Sequence, residues 1–288
     1  MTRLSFFLLL ILGFTACVKN NPDPSWLEVT EWTLQSNIDL SGDEGELSHN
    51  ITEAWVLIDD KVIGVFQVPF KIPILKDGMC NIKIYPAIKN NGISATKKIY
   101  PFLEVYEVNQ TLTKNQTLTL NPVTKYKSVT QFWIEDFEGI NISLTDDPNT
   151  SLSNYEIVNE NLQPFNGNLY AKISLNSADS LWVANTETQL SISKGREAYL
   201  EIDYHNTNSL TTGLIYVSPA GVTNNINIRL NAQNPETVAW KKIYIELREL
   251  IGASPNSSNF LQSFSCYLDP GQISTEILID NIKVVYFN

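Results

Sequence analysis

Few side chains in this sequence could do covalent chemistry, and their spacing points away from it. The 288 residues include two histidines, His49 and His205, and three cysteines, Cys17, Cys80 and Cys266. A His-rich zinc centre or a helical His-Glu-x-x-His site cannot be built from that set. No Gly-x-Ser-x-Gly elbow and no Gly-Lys-Ser/Thr phosphate loop occurs. A nucleophilic pair would need Cys80 or Cys266 beside a histidine, and the flanking residues give no reason to expect it. Carboxylates remain, because cleaving a polysaccharide needs only two at the right separation. Glu135-Asp136, Asp146-Asp147 and Glu201 with Asp203 could each supply one. Yet Asp146-Asp147-Pro148-Asn149 has the composition of a surface turn, and adjacent carboxylates on a strand point to opposite faces. The expectation is a protein without catalytic residues.

Binding a sugar asks for other equipment: exposed aromatic planes beside donors and acceptors, since C–H faces stack on rings while hydroxyls need hydrogen-bond partners. Trp182 lies in the polar stretch NSADSLWVANTET (176–188), where a buried indole is hard to explain, and is the leading ligand contact. In AYLEIDYH (198–205), Leu200, Ile202 and Tyr204 take the inward parity and leave Tyr199, Glu201, Asp203 and His205 outward. That stripe could line a binding face or be an ordinary solvated sheet surface. Trp55, Trp133 and Trp240 belong to regular apolar runs and read as core. Cys80 and Cys266 also lie in apolar runs, where a free cysteine acts as a small buried hydrophobe.

The elements that must position these residues are strands. Short β-branched and aromatic runs alternate with Gly, Asn, Asp and Pro clusters, and helical periodicity is nearly absent, Leu247–Ile251 being the clearest exception. In a first unit, 26–125, AWVLIDDKVIGVFQ (54–67) reads as a hairpin about Asp59, Asp60 and Lys61. Pro69 and Pro73 bracket an edge stretch, CNIKIYPAIK (80–89) runs between two turns, and Gln110–Leu120 closes the unit. This order resembles a transthyretin-like or PEGA-type β-sandwich. The likeness rests on Val56 to Asp59 entering a turn, Gly64, Pro69, Pro73 and Asp77-Gly78, with Asp60-Lys61 where that family has Asp-Gly. It implies a non-catalytic spacer or wall-contacting module. The second unit, 126–288, opens on FWIEDFEG (132–139) and ends on EILIDNIKVVYF (276–287). It resembles the galactose-binding-like jelly rolls of carbohydrate-binding proteins. The expected fold class is therefore all-β, two β-sandwich domains, the second a jelly roll. Strict alternation puts Asp280 on one face with Leu278, Ile282, Val284 and Tyr286, and an unpaired buried charge there is costly. The jelly-roll resemblance implies a structural calcium between first and last strands, with Asp136, Glu138 and Asp280 as its ligands. The alternative is an Asp280 that is solvated or hydrogen-bonded near a strand end.

At the other end of the chain, Arg3, an apolar run from Leu4 to Phe14, and Thr15-Ala16-Cys17 make a secretory signal. The Phe-Thr-Ala-Cys ending resembles a bacterial lipobox, which implies removal of residues 1–16, lipidation of Cys17 and a tether over 17–25. The formal charge of −11 disfavours nucleic acid, whose binding draws on clustered Lys and Arg. The whole pattern resembles two-domain envelope lipoproteins of Bacteroidetes, and Asp179-Ser180-Leu181 resembles an O-glycosylation signal of that group. The sequence therefore leads to a non-catalytic lipoprotein of the outer membrane, on either face, that binds a glycan through its second domain. A structural or assembly lipoprotein that binds an envelope protein is the alternative, and a carboxylate-dependent hydrolase or lyase comes third.

Overall fold

The protein is described by a computed structural model covering residues 22–159 and 167–288. The signal, Cys17 and most of the tether therefore lie outside the described residues. The apolar runs of the first half become β1 (Ser25–Val29), β2 (Thr33–Leu34), β3 (Glu53–Ile58), β4 (Lys61–Gln67) and β5 (Phe70–Ile74). They continue as β6 (Gly78–Lys89), β7 (Lys97–Ile99), β8 (Tyr106–Leu112), β9 (Thr117–Leu120) and β10 (Val123–Thr124). Asp59 and Asp60, at φ 47° and 60°, close the β3–β4 hairpin, since a two-residue turn that matches the strand twist needs positive φ at both positions. One sheet runs β4-β3-β6-β7, with β8 also on β6; the other runs β5-β1-β9. Leu27, Val29 and Ile74 of the smaller sheet share a core with Val56, Ile82 and Ile84 of the larger. Pro73 sits opposite Trp26 in β5, an edge strand, where its missing N–H weakens no ladder. The run Gln110–Leu120 is split: β8 stays in the larger sheet while β9 crosses to pair with β1 in parallel.

The second half begins with β11 (Gln131–Glu135), β12 (Leu144–Asp146), β13 (Tyr155–Val158), β14 (Tyr170–Asn176), β15 (Leu181–Thr186) and β16 (Ala198–Asn206). It continues with β17 (Leu210–Ser218), β18 (Gly221–Leu230), β19 (Lys241–Glu246), helix α1 (Arg248–Ala253), β20 (Asn259–Tyr267) and β21 (Ser274–Tyr286). A six-stranded sheet, β13-β14-β21-β16-β19 with β11 beside β21, packs on a five-stranded sheet, β12-β15-β20-β17-β18. Leu200, Ile202 and Ile279 meet Leu214, Phe260 and Phe264 in the core between them. The fold is all-β, built of two sandwiches as the sequence implied.

Strict alternation along β21 needs one correction. Ile277 and Ile279 face the core, and so do Ile282 and Val284. The parity changes at Asp280-Asn281, where Asn281 has φ 47° and the pairing with β16 shifts between Glu201 and Asp203. An extra residue in a bulge moves every later side chain to the other face. Asp280 consequently lies opposite Asp203, off the apolar face on which alternation placed it.

The two sandwiches share a buried boundary. Tyr199, Tyr244 and Val285 of the six-stranded sheet belong to the same core as Tyr100, Phe102 and Tyr126. The turn after β6 adds a backbone bridge, with the Asn91 N–H donating to the Tyr244 carbonyl at 2.9 Å.

Candidate functional site

The stripe on β16 points away from its own core, as its parity requires, yet three of its four members never reach solvent. Tyr199, Glu201 and Asp203 are each 0% exposed, because the first sandwich covers them. That corrects the expectation of an open binding face here. Tyr100 and Tyr126 donate to Glu201 Oε1 at 2.6 and 2.9 Å, and Ser48 donates to Asp203 Oδ2 at 2.6 Å. The Lys242 ammonium lies 3.2 Å from Glu201 and 3.4 Å from Asp203. Burial lowers the Lys242 pKa, but Asp203 and Glu201 outweigh it and the net direction is up. Burial and then Glu201 hold the Tyr100 and Tyr126 hydroxyls well above their ordinary range, so they remain donors. Lys283 donates to the Glu44 and Glu46 carbonyls at 2.5 Å each, and burial, then Lys242, brings it down to about 8. The arrangement neutralises charge across a seam between domains; it offers a substrate no place among these groups. His205, at the end of the stripe, is half-buried, 6.0 Å from the Trp240 ring.

Trp182 needs a second correction. It is 0% exposed in the core of the second sandwich, and its Nε1 donates to Asp146 Oδ1 at 2.7 Å. The polar neighbours that made burial improbable lie in the preceding turn and on the other face of β15. A ring so placed cannot stack on a sugar. Ser180 of the Asp-Ser-Leu triplet is half-buried just ahead of it, so a glycan on that hydroxyl would not compete for the indole.

The carboxylates offered for catalysis or metal binding are engaged separately. Glu135 accepts from the Phe137 and Ser143 N–H groups at 2.8 and 2.5 Å. Asp147 accepts from Asn149 N–H at 2.9 Å in the turn its composition suggested. Asp136 accepts from Glu138 N–H at 3.2 Å, and Glu138 accepts from Leu169 N–H at 2.7 Å and from Asn168 N–H. Asp280 accepts from Asn281 N–H at 2.7 Å and is pushed up to about 8 by burial, with Asp203, Glu138 and Asp136 adding repulsion. Among the described residues no three His, Cys, Asp or Glu side chains converge as a metal site needs. The calcium ligands implied by the resemblance therefore do not fit a bound ion as they stand. Cys80 and Cys266 are free and buried in different cores, and burial raises the Cys266 thiol to about 12.

What the second sandwich leaves open is the outward face of its five-stranded sheet. Register aligns Asn185 with Ser263 and Val183 with Ser265, Ser263 with Gly213 and Ser265 with Thr211, and Thr211 with Arg229. Ser263 donates to Asn224 Oδ1 at 3.0 Å across Gly213. A Cβ on Gly213 would stand 2.7 Å from Ser263 Oγ and 2.9 Å from the Asn225 carbonyl, so only glycine keeps this crossing flat. Arg229 is held by Asp269 at 2.7 Å. Tyr267 stands at one end, 67% exposed. Neither the amide and hydroxyl row nor Tyr267 was singled out from the sequence. The alternation in β17, β18 and β20 could have located them once the strand pairing was known.

The tryptophans divide differently from the expectation. Trp133 is core. Trp240 is half-buried outside both cores, 5.5 Å from Tyr170. Trp55 is half-buried on the outward face of β3, packed into neither core. Both depart from the core reading because an apolar strand has two faces and periodicity alone does not say whether the second is covered.

No protein-family model and no curated protein matches the chain. Solved structures with a similar fold include the CBM22-1–GH10 modules of Clostridium thermocellum xylanase 10B with xylohexaose (13% identity, 54% of this chain and 28% of that one, TM-score 0.39). Others are a family 11 carbohydrate-binding module of the same organism with a β-1,3-1,4-mixed-linked tetrasaccharide (16%, 54% and 94%, 0.37) and the K1 cleaved adhesin domain of Lys-gingipain from Porphyromonas gingivalis (12%, 54% and 97%, 0.37). Two of these three are named as, or include, carbohydrate-binding modules; likeness at this level assigns this chain no ligand.

Proposed function

We propose that this chain is a non-catalytic, lipid-anchored protein of the cell envelope that binds a neutral glycan on the open face of its C-terminal five-stranded sheet. Cys17 supplies the anchor in this reading, and the first sandwich is a spacer fused to the back of the second. The observation that carries it is the group Asn185, Asn224, Ser265 and Thr211, uncharged donors and acceptors spread over neighbouring rows of the outward face of the five-stranded sheet, with the buried Ser263 donating to Asn224 beneath them. Sugar hydroxyls pair with such groups, and the one cation beside them, Arg229, is already neutralised by Asp269.

Calorimetric titration with mixed-linkage β-glucan, xylohexaose and β-1,4-galactotriose tests the reading. Binding of at least one is expected, with Asn224→Ala/Ser265→Ala weakening it at least tenfold, about 1.4 kcal/mol, at unchanged Tm. No heat from any of the three, or equal affinity for the double variant, overturns it.

A further inference from the structure

We infer that the first sandwich carries a sugar-stacking platform of its own, centred on Trp55 and Tyr85, distinct from the C-terminal face. Three strands place Val65, Trp55 and Tyr85 in one row, since Trp55 pairs with Val65 on β4 and with Tyr85 on β6. Directly opposed side chains on one face lie about 4.5–5.5 Å apart at Cβ, so the indole and the phenol are neighbours. Both rings are half-buried and packed into neither core. Phe66, the next residue on β4, does pack into the core, so the face bearing Trp55 is the outer one. The adjacent row runs Val62, Leu57, Lys83 and Glu107, with Val62 61% exposed, and Asn81 and Asn109 stand beyond it.

The charges around the rings decide what fits them. Lys83 is held 2.7 Å from Asp60 and 3.7 Å from Glu107, and Lys97 is 2.7 Å from Glu53. The cations nearest the rings, Lys83 and Lys97, are thus already paired, and Lys89, which shares the outward parity of β6, stands two rows from Tyr85 opposite Lys97, so the field at the rings does little to attract an anionic lipid or a charged polymer. An amphipathic, uncharged partner remains: a pyranose ring, whose C–H face stacks on the indole while its hydroxyls reach Gln67 on one side and the ion-paired Lys83 on the other. Gln67 is exposed and lies on the same face, opposite Glu53.

The test is tryptophan emission of the full chain titrated with the same three saccharides. At least one should shift the emission at affinities insensitive to salt. Trp55→Ala should abolish the shift and weaken that affinity at least tenfold, Tyr85→Ala should weaken it, and Trp55→Phe should keep part of it. Asn224→Ala/Ser265→Ala should leave the Trp55-dependent signal intact, which separates failure of this site from failure of the C-terminal face. An unchanged Tm of Trp55→Ala guards against a folding artefact, and Tyr85→Ala is the second probe should it fall. Silent emission with all three saccharides overturns the inference, as does a shift that survives Trp55→Ala. So does an envelope protein that co-purifies with the wild type but not with Trp55→Ala while the sugars stay inert, which would make the platform a protein-docking surface.

Discussion

A tryptophan in a polar stretch is ambiguous until its strand partners are known, and Trp182 illustrates the cost of resolving it wrongly. Its ring fills the second core and its N–H is matched to Asp146 at 2.7 Å, so the residue is structural. Trp182→Ala should destabilise the chain by about 3–5 kcal/mol from the cavity alone. The Asp146 carboxylate loses its side-chain donor but keeps the Tyr155 backbone N–H, so the added cost stays near the lower end of about 1–3 kcal/mol. Urea unfolding should show the loss, whereas Trp182→Phe should retain whatever glycan affinity the wild type has; loss of affinity in a folded Trp182→Phe would restore a binding role. Trp55 is the converse case, an indole in an apolar strand that nonetheless faces outward.

At the scale of the element, the bulge in β21 sets both the geometry and the pH behaviour of the boundary. It turns Asp280 towards Asp203 and buries it at 1% exposure. Folded, Asp280 keeps its proton to about pH 8; unfolded, it releases it near 3.8. Its contribution to stability is therefore fully present below pH 3.8 and is lost as pH rises through 8. Lys283, lowered to about 8 from 10.5, acts oppositely and in a higher window: its contribution is full above pH 10.5 and is lost as pH falls through 8. Asp280→Asn should accordingly flatten the decline of stability between about pH 4 and 8 and raise Tm at pH 9. For a chain of this size Tm moves roughly 2–4 °C per kcal/mol. A thermal-melt series across pH in which the variant tracks the wild type would refute that assignment of the titrating group.

For the whole molecule, the sealed boundary is what makes two sandwiches one body. Glu201, Asp203 and Lys242 are all but fully buried. Removing one partner from such a set leaves charge without compensation, at a cost of about 3–5 kcal/mol. Lys242→Met should lower the unfolding free energy read from urea titration by that amount and expose the segment joining the sandwiches, 125–131, to limited proteolysis; Lys241→Met, on the exposed neighbour, should do neither. Equal effects from both would mean that the boundary does not depend on the network. Closing this boundary also fixes which faces remain for ligands: the outward five-stranded sheet of the second sandwich and the Trp55 face of the first.

Alternation, turn chemistry and proline placement along the chain were enough to determine an all-β protein with a hairpin at Asp59-Asp60 and an edge strand through Pro73. They also separated the two faces of β16 correctly, because strand parity is a local property of the backbone. Three things depended on contacts between distant segments: that the outward face of β16 is covered, that β21 bulges at Asp280, and that Trp182 is enclosed while Trp55 is not. Whether a face is wet or buried is decided by what packs on it. For Tyr199, Glu201 and Asp203 the covering residues, among them Ser48, Tyr100 and Tyr126, come from about 70 to 155 positions earlier in the chain, so no local pattern carries that information.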